Sequence, residues 1–552
     1  ARGGSGGRPV GPVEELIAQV WRDVLGVAEV GRGDRFTELG GHSLAAMRVV
    51  SRLRRTLDTP PSLTDLLSGQ SLAAIARRLS VSVAPPGAGG MTRRAGDGPV
   101  PLSPAQERIW YLSRLLPGSP VYHVGYTLPW PDGLDHRILA RCLDRLVARH
   151  AALRTRFGET DGVPWQQVGE AFPVRLEVEE VDEAAVAARV REEVCAGFDL
   201  GAGRLLRARL FRHGRGPHTL VLTTHHIVVD AWSLDVFFTE LGRLYQAELD
   251  GRPVELPEPP VRYVDYAVWQ REWLDGALAS ELAYWRQRLA GAPLVLELPG
   301  DRTRPAEQTF RGGHHRVRWA EPLRRRLDEV GREHGVTLFM ILLAGFATLL
   351  HRYTGATDLI VGVPMANRTR PELEPLVGFF VNTVPLRIDL SGDPGFPEVL
   401  ARVRSAALAG YDHQELPFER LVDALRPERD PARMPIVQVL CQTATIAPLR
   451  VAGHTLRPAL VDTGTAKFDL TLTVEEDDAG LVGLFEYNGD IFDASTVDML
   501  ASRLTVLLEA VSDHPSARVS ELPLLRPDER RRVLWEWNRT AAELPPRAVH
   551  EL

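Results

Sequence analysis

THHIVVDAWS, residues 224–233, sets two adjacent histidines and, four residues after the second, an aspartate between two differently patterned segments. Upstream, HTLVLTT (218–224) has the length and composition of a strand. Downstream, SLDVFFTELGRLYQAEL (233–249) carries Leu234, Phe237, Phe238, Leu241, Leu244 and Tyr245 at helical spacing, with Ser233 as the expected cap. A strand-to-helix connection is a frequent position for reactive groups in an α/β architecture. Neighbouring side chains of an extended chain point to opposite faces, so His225 and His226 cannot both face one cavity if the strand geometry persists through them. One is expected to be reactive and the other structural. Zinc is disfavoured, because a metal needs three or four converging ligands and no partner motif accompanies these two His and one Asp. Two readings stay open at this level: histidines that serve only as hydrogen-bonding groups, and acid–base chemistry by a neutral imidazole.

A chain of 552 residues exceeds one domain several-fold, and three domains are expected. Hydrophobic content of 44%, charged content of 25% and a net charge of −7 are ordinary, so neither a nucleic-acid nor a membrane partner is indicated. The longest apolar run, TLFMILLAGFATLL (337–350), is too short to cross a bilayer, and a buried helix is expected there. Cys142, Cys195 and Cys441 lie far apart without CxxC spacing, which argues against a disulfide framework or thiolate metal site and makes the cytoplasm the expected location. The opening ARGGSGGRPVGP lacks Met and any apolar segment, so the chain is expected to be a piece of a longer polypeptide without a signal peptide. Lys467 is the only lysine, read as compositional bias without functional meaning.

VEELIAQVWRDVL, entered through Pro12, follows the i, i+3, i+4, i+7 rule; a second helix is expected from about Ser43, and two shorter ones at SLTDLL and SLAAIARRL. The Pro-, Gly- and Ser-rich stretch near 81–100 reads as a linker. Beyond it, strands (HTLVLTT, DLIVGVP, NTVPLRIDL, FDLTLTV) alternate with amphipathic helices over more than one core's worth of chain. The expected partition is a helical bundle at 10–80, a linker at 81–100, lobes at 101–275 and 276–525, and a connecting segment at 526–552.

In DRFTELGGHSLAAMRV, Ser43 follows Gly40, Gly41 and His42 at the start of the second helix, where free N–H groups and the helix dipole favour a phosphate; the plainer possibility is an N-cap serine after a tight turn. The stretch from Asp34 and Phe36 through Leu39-Gly40-Gly41-His42-Ser43-Leu44 resembles the core motif of peptidyl carrier domains of nonribosomal peptide synthetases. The resemblance implies 4'-phosphopantetheine, attached to Ser43 by a phosphopantetheinyl transferase and holding an aminoacyl or peptidyl thioester. The His-Ser form resembles carriers that pass on L-configured units. Residues 1–90 carry 11 arginines against 8 acids, with Arg48, Arg52, Arg54 and Arg55 clustered in and after this helix, as a solvated face or a docking surface.

The histidine segment resembles the HHxxxDG motif of condensation domains of the same synthetases, and SPAQERIWYL (from 103), RHAALRTRF (149), YVDYAVWQ (263), VGFFVNTVPLR (377), HQELPFE (413) and RDPARMP (429) resemble the family's other blocks in order. The implied fold is a four-helix carrier bundle followed by an α/β condensation domain of two chloramphenicol-acetyltransferase-like lobes in a V, with a tunnel between them. The implied reaction is attack of an acceptor aminoacyl amine on a donor thioester, with His226 facing the tunnel as base or amine-holding group. His225 is then structural, and Asp230 a buttress whose expected partner is Arg154. Arg108 is expected to line the channel or to form a surface ion pair. Ala231 stands where the family has Gly, which raises the question of a positive φ or a close backbone approach there. An acceptor carrier and an adenylation domain are the implied downstream partners, since WNRTAAELPPRAVHEL resembles a junction into the latter. Epimerisation shares fold and histidines but does not fit that junction; heterocyclisation lacks its paired aspartates; a silent partner-recruiting module has only Ala231 in its favour.

Overall fold

The computed structural model describes residues 7–54, 57, 60–79, 91–428, 430–444, 446–477, 479–541 and 550, excepting the side chains at 43 and 44. Much of the expected linker (80–90) and of the closing segment (542–549, 551–552) lies outside the described residues.

The N-terminal bundle comprises α1 (Gly11–Leu25), α2 (Ser43–Leu53), α3 (Leu63–Leu67) and α4 (Leu72–Arg78). Pro12 sits in the first turn of α1, where its missing N–H has no helical partner to lose, and Gly26 closes the helix at φ +67°. Ser62 and Ser71 cap the two short helices through their hydroxyls. Ile17, Trp21, Phe36, Val49, Leu66 and Leu72 form the core, with Trp21 and Phe36 packed edge-on at 5.1 Å.

The larger body starts with α5 (Pro104–Leu115), whose Ser103 and Gln106 form a reciprocal capping box. Its first sheet contains β1 (His123–Trp130), β2 (Leu176–Glu180), β3 (Leu206–Arg212) and β4 (His218–His225). From β4 the chain enters α6 (Ala231–Leu249), and α7 (Tyr263–Arg288) then carries it to the second half. The second sheet is built from β5 (Gly312–Ala320), β6 (Asp358–Met365), β7 (Asn382–Asp389) and β8 (Val439–Thr443), with β9 (Ala459–Leu460) intervening before β10 (Leu470–Asp477) and β11 (Gly480–Asn488). Its order is β7-β6-β8-β10-β11-β5, whereas the first sheet reads β9-β1-β4-β3-β2.

That first order departs from a clean division of the sequence. Strand β9 belongs by position to the second half, yet Ala459 pairs with Thr127 and extends the first sheet. The break expected near residue 275 falls inside the continuous helix α7.

The apolar run is α8 (Leu338–Thr354), buried from Met340 to Leu350. Among the described residues no single helix is long and apolar enough to cross a membrane; α8 and the helix before it pass only as a pair bent by 100°. Helices α9 (Phe396–Asp412) and α10 (Phe418–Leu425) complete the elements that bear on the site.

Candidate functional site

Strand β4 ends at His225, and a single 3-10 turn, His226–Val228, turns the chain toward α6. The strand geometry stops at His225, so pleat alternation does not extend to His226; the two imidazoles instead have different neighbours. His225 is buried among His123 (5.9 Å between centroids), Phe198 (6.0 Å) and Tyr122 (6.4 Å). Its Nδ1 accepts the Ile227 N–H at 3.2 Å, and burial holds the ring well below the usual imidazole range. It props the turn.

His226 is half-buried, with its ring edge-on to Phe379 at 5.0 Å. The Val229 carbonyl lies 2.6 Å from Nδ1. A carbonyl only accepts, so Nδ1 carries the proton and Nε2 presents a lone pair. Burial first, and the charge of Lys467 second, push this imidazole down to about 4. The ring is a neutral acceptor at physiological pH.

Asp230 caps α6: its Oδ1 accepts the Ser233 N–H at 2.8 Å and lies 2.7 Å from the Ser233 hydroxyl. The cap is therefore the aspartate, not Ser233 as the sequence pattern indicated, because a carboxylate three residues ahead outcompetes the hydroxyl for the free N–H groups. Its other contacts come from the second half. Arg368 Nη2 donates to Oδ1 at 3.1 Å, and the Phe380 N–H donates to Oδ2 at 2.9 Å. The Ser233 hydroxyl also accepts from the Gly378 N–H (3.0 Å) and from Arg368 (2.8 Å). Arg368 is fully buried, donates further to the carbonyls of Leu373 and Leu376, and lies 4.1 Å from the Phe380 ring. Asp230 thus has its lone pairs committed and is not hydrogen-bonded to either imidazole. Its work is positional.

Arg154 is not its partner. The guanidinium of Arg154 donates to the Gly169 carbonyl while the Gly169 N–H donates back to the Arg154 carbonyl at 2.9 Å, closing the hairpin of strands Thr155–Thr160 and Val163–Val168. Those reciprocal bonds fix it in a separate cluster with Arg93 and Arg262. Arg108 does reach across the lobes: its Nε lies 3.3 Å from Glu419 on α10, and both side chains are three-quarters or more buried. The pair is therefore a partly buried one rather than a surface one.

Ala231 is the first residue of α6, exposed and outside the left-handed residues, so neither reason for a glycine applies at this backbone. Ala231→Gly is expected to leave the reaction rate within about 2-fold and to lower stability by no more than about 0.5–1 kcal/mol, checked by single-turnover kinetics and denaturant unfolding.

At the other candidate centre, Gly40 takes φ +89°, and a Cβ on Gly41 would sit 2.3 Å from the Phe36 ring, so this turn demands both glycines. Residue 43 opens α2, and its side chain lies outside the described residues. The N-cap is His42, whose Nδ1 accepts the Ala45 N–H at 3.4 Å; the hydroxyl of Ser43 is therefore not needed as the cap. The fit of a phosphate arm to this start is that of a serine on the first turn of an eleven-residue helix, preceded by a glycine turn. Arg48 and Arg52 of α2, and Arg54 at its C-cap, contact the larger body. Arg48 stacks 4.5 Å over the Trp232 ring, Arg52 lies 3.9 Å from Glu374, and Arg54 lies 3.6 Å from Glu415 and donates to the Thr369 carbonyl. On α3, Thr64 donates to Asp412 at 2.8 Å. Trp232 adjoins Ala231, so the bundle rests beside the start of α6.

A family model described as a condensation domain matches residues 97–534, and one described as a phosphopantetheine attachment site matches 15–79. A linear gramicidin synthase polypeptide of Brevibacillus parabrevis is 40% identical over 97% of this chain. The chain spans about a tenth of that protein's length, 11%. The dimodular nonribosomal peptide synthase of Bacillus subtilis is 38% identical over 98% of this chain and 23% of its own length. The crystal structure of the X-domain from teicoplanin biosynthesis is 32% identical, with a TM-score of 0.70 over 79% of this chain and 100% of the X-domain chain. The first condensation domain of the calcium-dependent antibiotic synthetase superposes with a TM-score of 0.69 at 23% identity over 78% of this chain and 99% of its own, a likeness of fold.

Proposed function

The chain belongs to the condensation-domain family of nonribosomal peptide synthetases, with a phosphopantetheine carrier domain ahead of it, and from that premise we propose that it forms peptide bonds between carrier-bound substrates. The donor is an aminoacyl or peptidyl thioester on Ser43, and the acceptor amine arrives on a second carrier of the same synthetase, beside its adenylation domain. When attached, 4'-phosphopantetheine supplies the thiol that activates the acyl group. The single observation that carries this reading is the state of His226: Nδ1 is tied to the Val229 carbonyl, and Nε2 is a neutral acceptor on a turn clamped from both halves of the body.

An imidazole held near 4 is a weak base, since acid–base efficiency peaks where the group's pKa meets the operating pH. His226 therefore acts first by positioning: Nε2 accepts an N–H of the neutral amine and aims its lone pair at the thioester carbon. Proton transfer follows bond formation, when the nitrogen has become cationic and acidic. The departing thiolate takes up that proton, leaving amide and thiol. The buried His225, the Asp230–Arg368 clamp and the Arg108–Glu419 pair keep the turn and the facing wall in register. Both histidines and a fully satisfied aspartate support this reading over a silent partner-recruiting module, and the unstrained Ala231 removes the one feature that favoured silence. Seating of α2 against Trp232, Glu374 and Glu415 supports Ser43 as the donor attachment point.

The test charges Ser43 with an aminoacyl pantetheine, adds a separately charged acceptor carrier, and follows both by intact mass. The acyl group is expected to leave this chain and appear as a dipeptidyl mass on the acceptor. Absence of transfer to every member of a panel of acceptors would overturn the proposal.

A further inference from the structure

The carrier bundle meets the larger body through contacts of unequal kind. Arg52 and Glu374 stand 3.9 Å apart, and Arg54 and Glu415 3.6 Å apart, with the two arginine side chains 40% and 41% exposed. Ion pairs of that length and exposure contribute little to affinity and mainly steer the approach. Thr64, which donates to Asp412 at 2.8 Å, adds one exposed hydrogen bond. Arg48 differs from all of these. Its guanidinium lies 4.5 Å from the centre of the Trp232 ring, and Trp232 is 7% exposed. The indole is fixed in its place: its N–H donates to the Glu374 carbonyl at 3.0 Å, and its ring lies 5.5 Å from the buried guanidinium of Arg368.

Where two protein surfaces meet, a few buried Trp and Arg side chains carry most of the binding free energy, and exposed pairs around them chiefly exclude water. Arg48 on Trp232 has the first character, and the pairs at Arg52 and Arg54 have the second. We propose that Trp232 is the anchor of the donor seat and that Arg48 is the residue by which a donor carrier is accepted there. The partner this face fits is thus a carrier domain with a planar cation five residues beyond its pantetheinylated serine. A guanidinium suits that task, because it stacks on an indole face as well as bringing its charge to it. The location of the anchor also bears on the reaction. Trp232 is the second residue of α6, two beyond Asp230, and the Arg368 that pairs with Asp230 borders the same ring. The seat of the carrier and the turn that presents His226 are therefore built on one helix start, which sets the position of α2 relative to the reacting imidazole. The assignment rests on the reading of Ser43 as the donor attachment point and adds the contact that selects the donor.

The experiment uses the full chain. Each variant is charged at Ser43, the charged fraction is read by intact mass, and single-turnover transfer to a charged acceptor carrier is followed per charged chain. Arg48→Met is expected to slow transfer about 10-fold, with the acceptor concentration for half-maximal rate unchanged, since only the seating of the donor is weakened. Arg48→Lys should recover part of that loss, because the charge is kept and the planar stack is not. Arg52→Met should stay within about 2-fold of the unmodified chain. Trp232→Leu also alters the surroundings of Asp230, so the comparison that isolates docking is the double variant: in the Trp232→Leu background, Arg48→Met should have almost no further effect. Should the leucine variant fold poorly, Trp232→Phe repeats the cycle with a weaker aromatic face, and the effect of Arg48→Met should shrink. An Arg48→Met chain with the unmodified rate would overturn the assignment, as would equal losses from Arg48→Met and Arg52→Met, or an undiminished effect of Arg48→Met without the indole. No amide from the unmodified chain would overturn the donor reading and this assignment together; amide from the unmodified chain with no effect of Arg48 would overturn the assignment alone.

Discussion

His226→Ala is expected to lower the rate of amide formation by roughly 10²–10⁴-fold, the span over which a positioned acid–base or hydrogen-bonding side chain contributes. Charging of Ser43 and the unfolding profile should stay as they are, because the imidazole makes one hydrogen bond to Val229 and one edge contact to Phe379, and both partners survive its removal. Peptide on the acceptor carrier, followed by intact mass, is the measurement, and an undiminished rate would remove His226 from the reaction. The pH dependence separates its two modes. With the imidazole at about 4, His226 is neutral throughout the working range and cannot itself produce a break near 6.5. The acceptor amine, with an ordinary value of about 7.7–8.0, then sets the profile: the reactive neutral fraction falls tenfold per pH unit below that value, so the logarithm of the rate should rise with unit slope and level off near pH 8. A break at the usual imidazole value would mean that His226 titrates as a base and that the neutral-acceptor reading is wrong.

The chemistry of this turn was legible in the sequence to the extent that it was local. The strand-to-helix connection around His225 and His226 was placed correctly, and helical spacing located α6 to within three residues of its cap. The glycine turn before Ser43 was likewise local, since Phe36 and Gly41 meet within five residues. What crossed between halves was not legible. Arg368 stands in NRTRPEL, a loop without periodicity, and nothing in its spacing says that its guanidinium is buried against Asp230, 138 positions away in sequence; Arg154, in RHAALRTRF, looked better placed and is committed to its own hairpin. Glu419 and β9 escaped for the same reason. Lys467 was visible only as an oddity of composition, and its place beside Tyr122 depends on a crossing between halves that spacing does not show.

Arg368→Met should be the most damaging single substitution away from the reacting atoms. The guanidinium is fully buried, and its two Nη groups are shared among the Asp230 carboxylate, the Ser233 hydroxyl and the carbonyls of Leu373 and Leu376. Removing one partner of a buried, hydrogen-bonded ion pair leaves the other charge uncompensated, a loss of about 3–5 kcal/mol. Methionine replaces the volume and none of the donors, so Asp230 retains the Ser233 and Phe380 N–H groups but loses its countercharge. Arg368→Lys should rescue little, because a single ammonium cannot span four acceptors that a planar fork was holding. The turn between β4 and α6 then loses its tie to the second half, and amide formation should fall along with stability. Denaturant unfolding of the full chain, read as the midpoint of the transition that reports the larger body, is the measurement. The double variant Arg368→Met with Asp230→Asn supplies the decisive comparison: once the carboxylate is neutral there is no buried charge to strand, so it should be destabilised by clearly less than the sum of the two single changes. Additive losses, or an Arg368→Met chain with the midpoint of the unmodified protein, would show that the pair is a bystander and that the halves are held by their other ties.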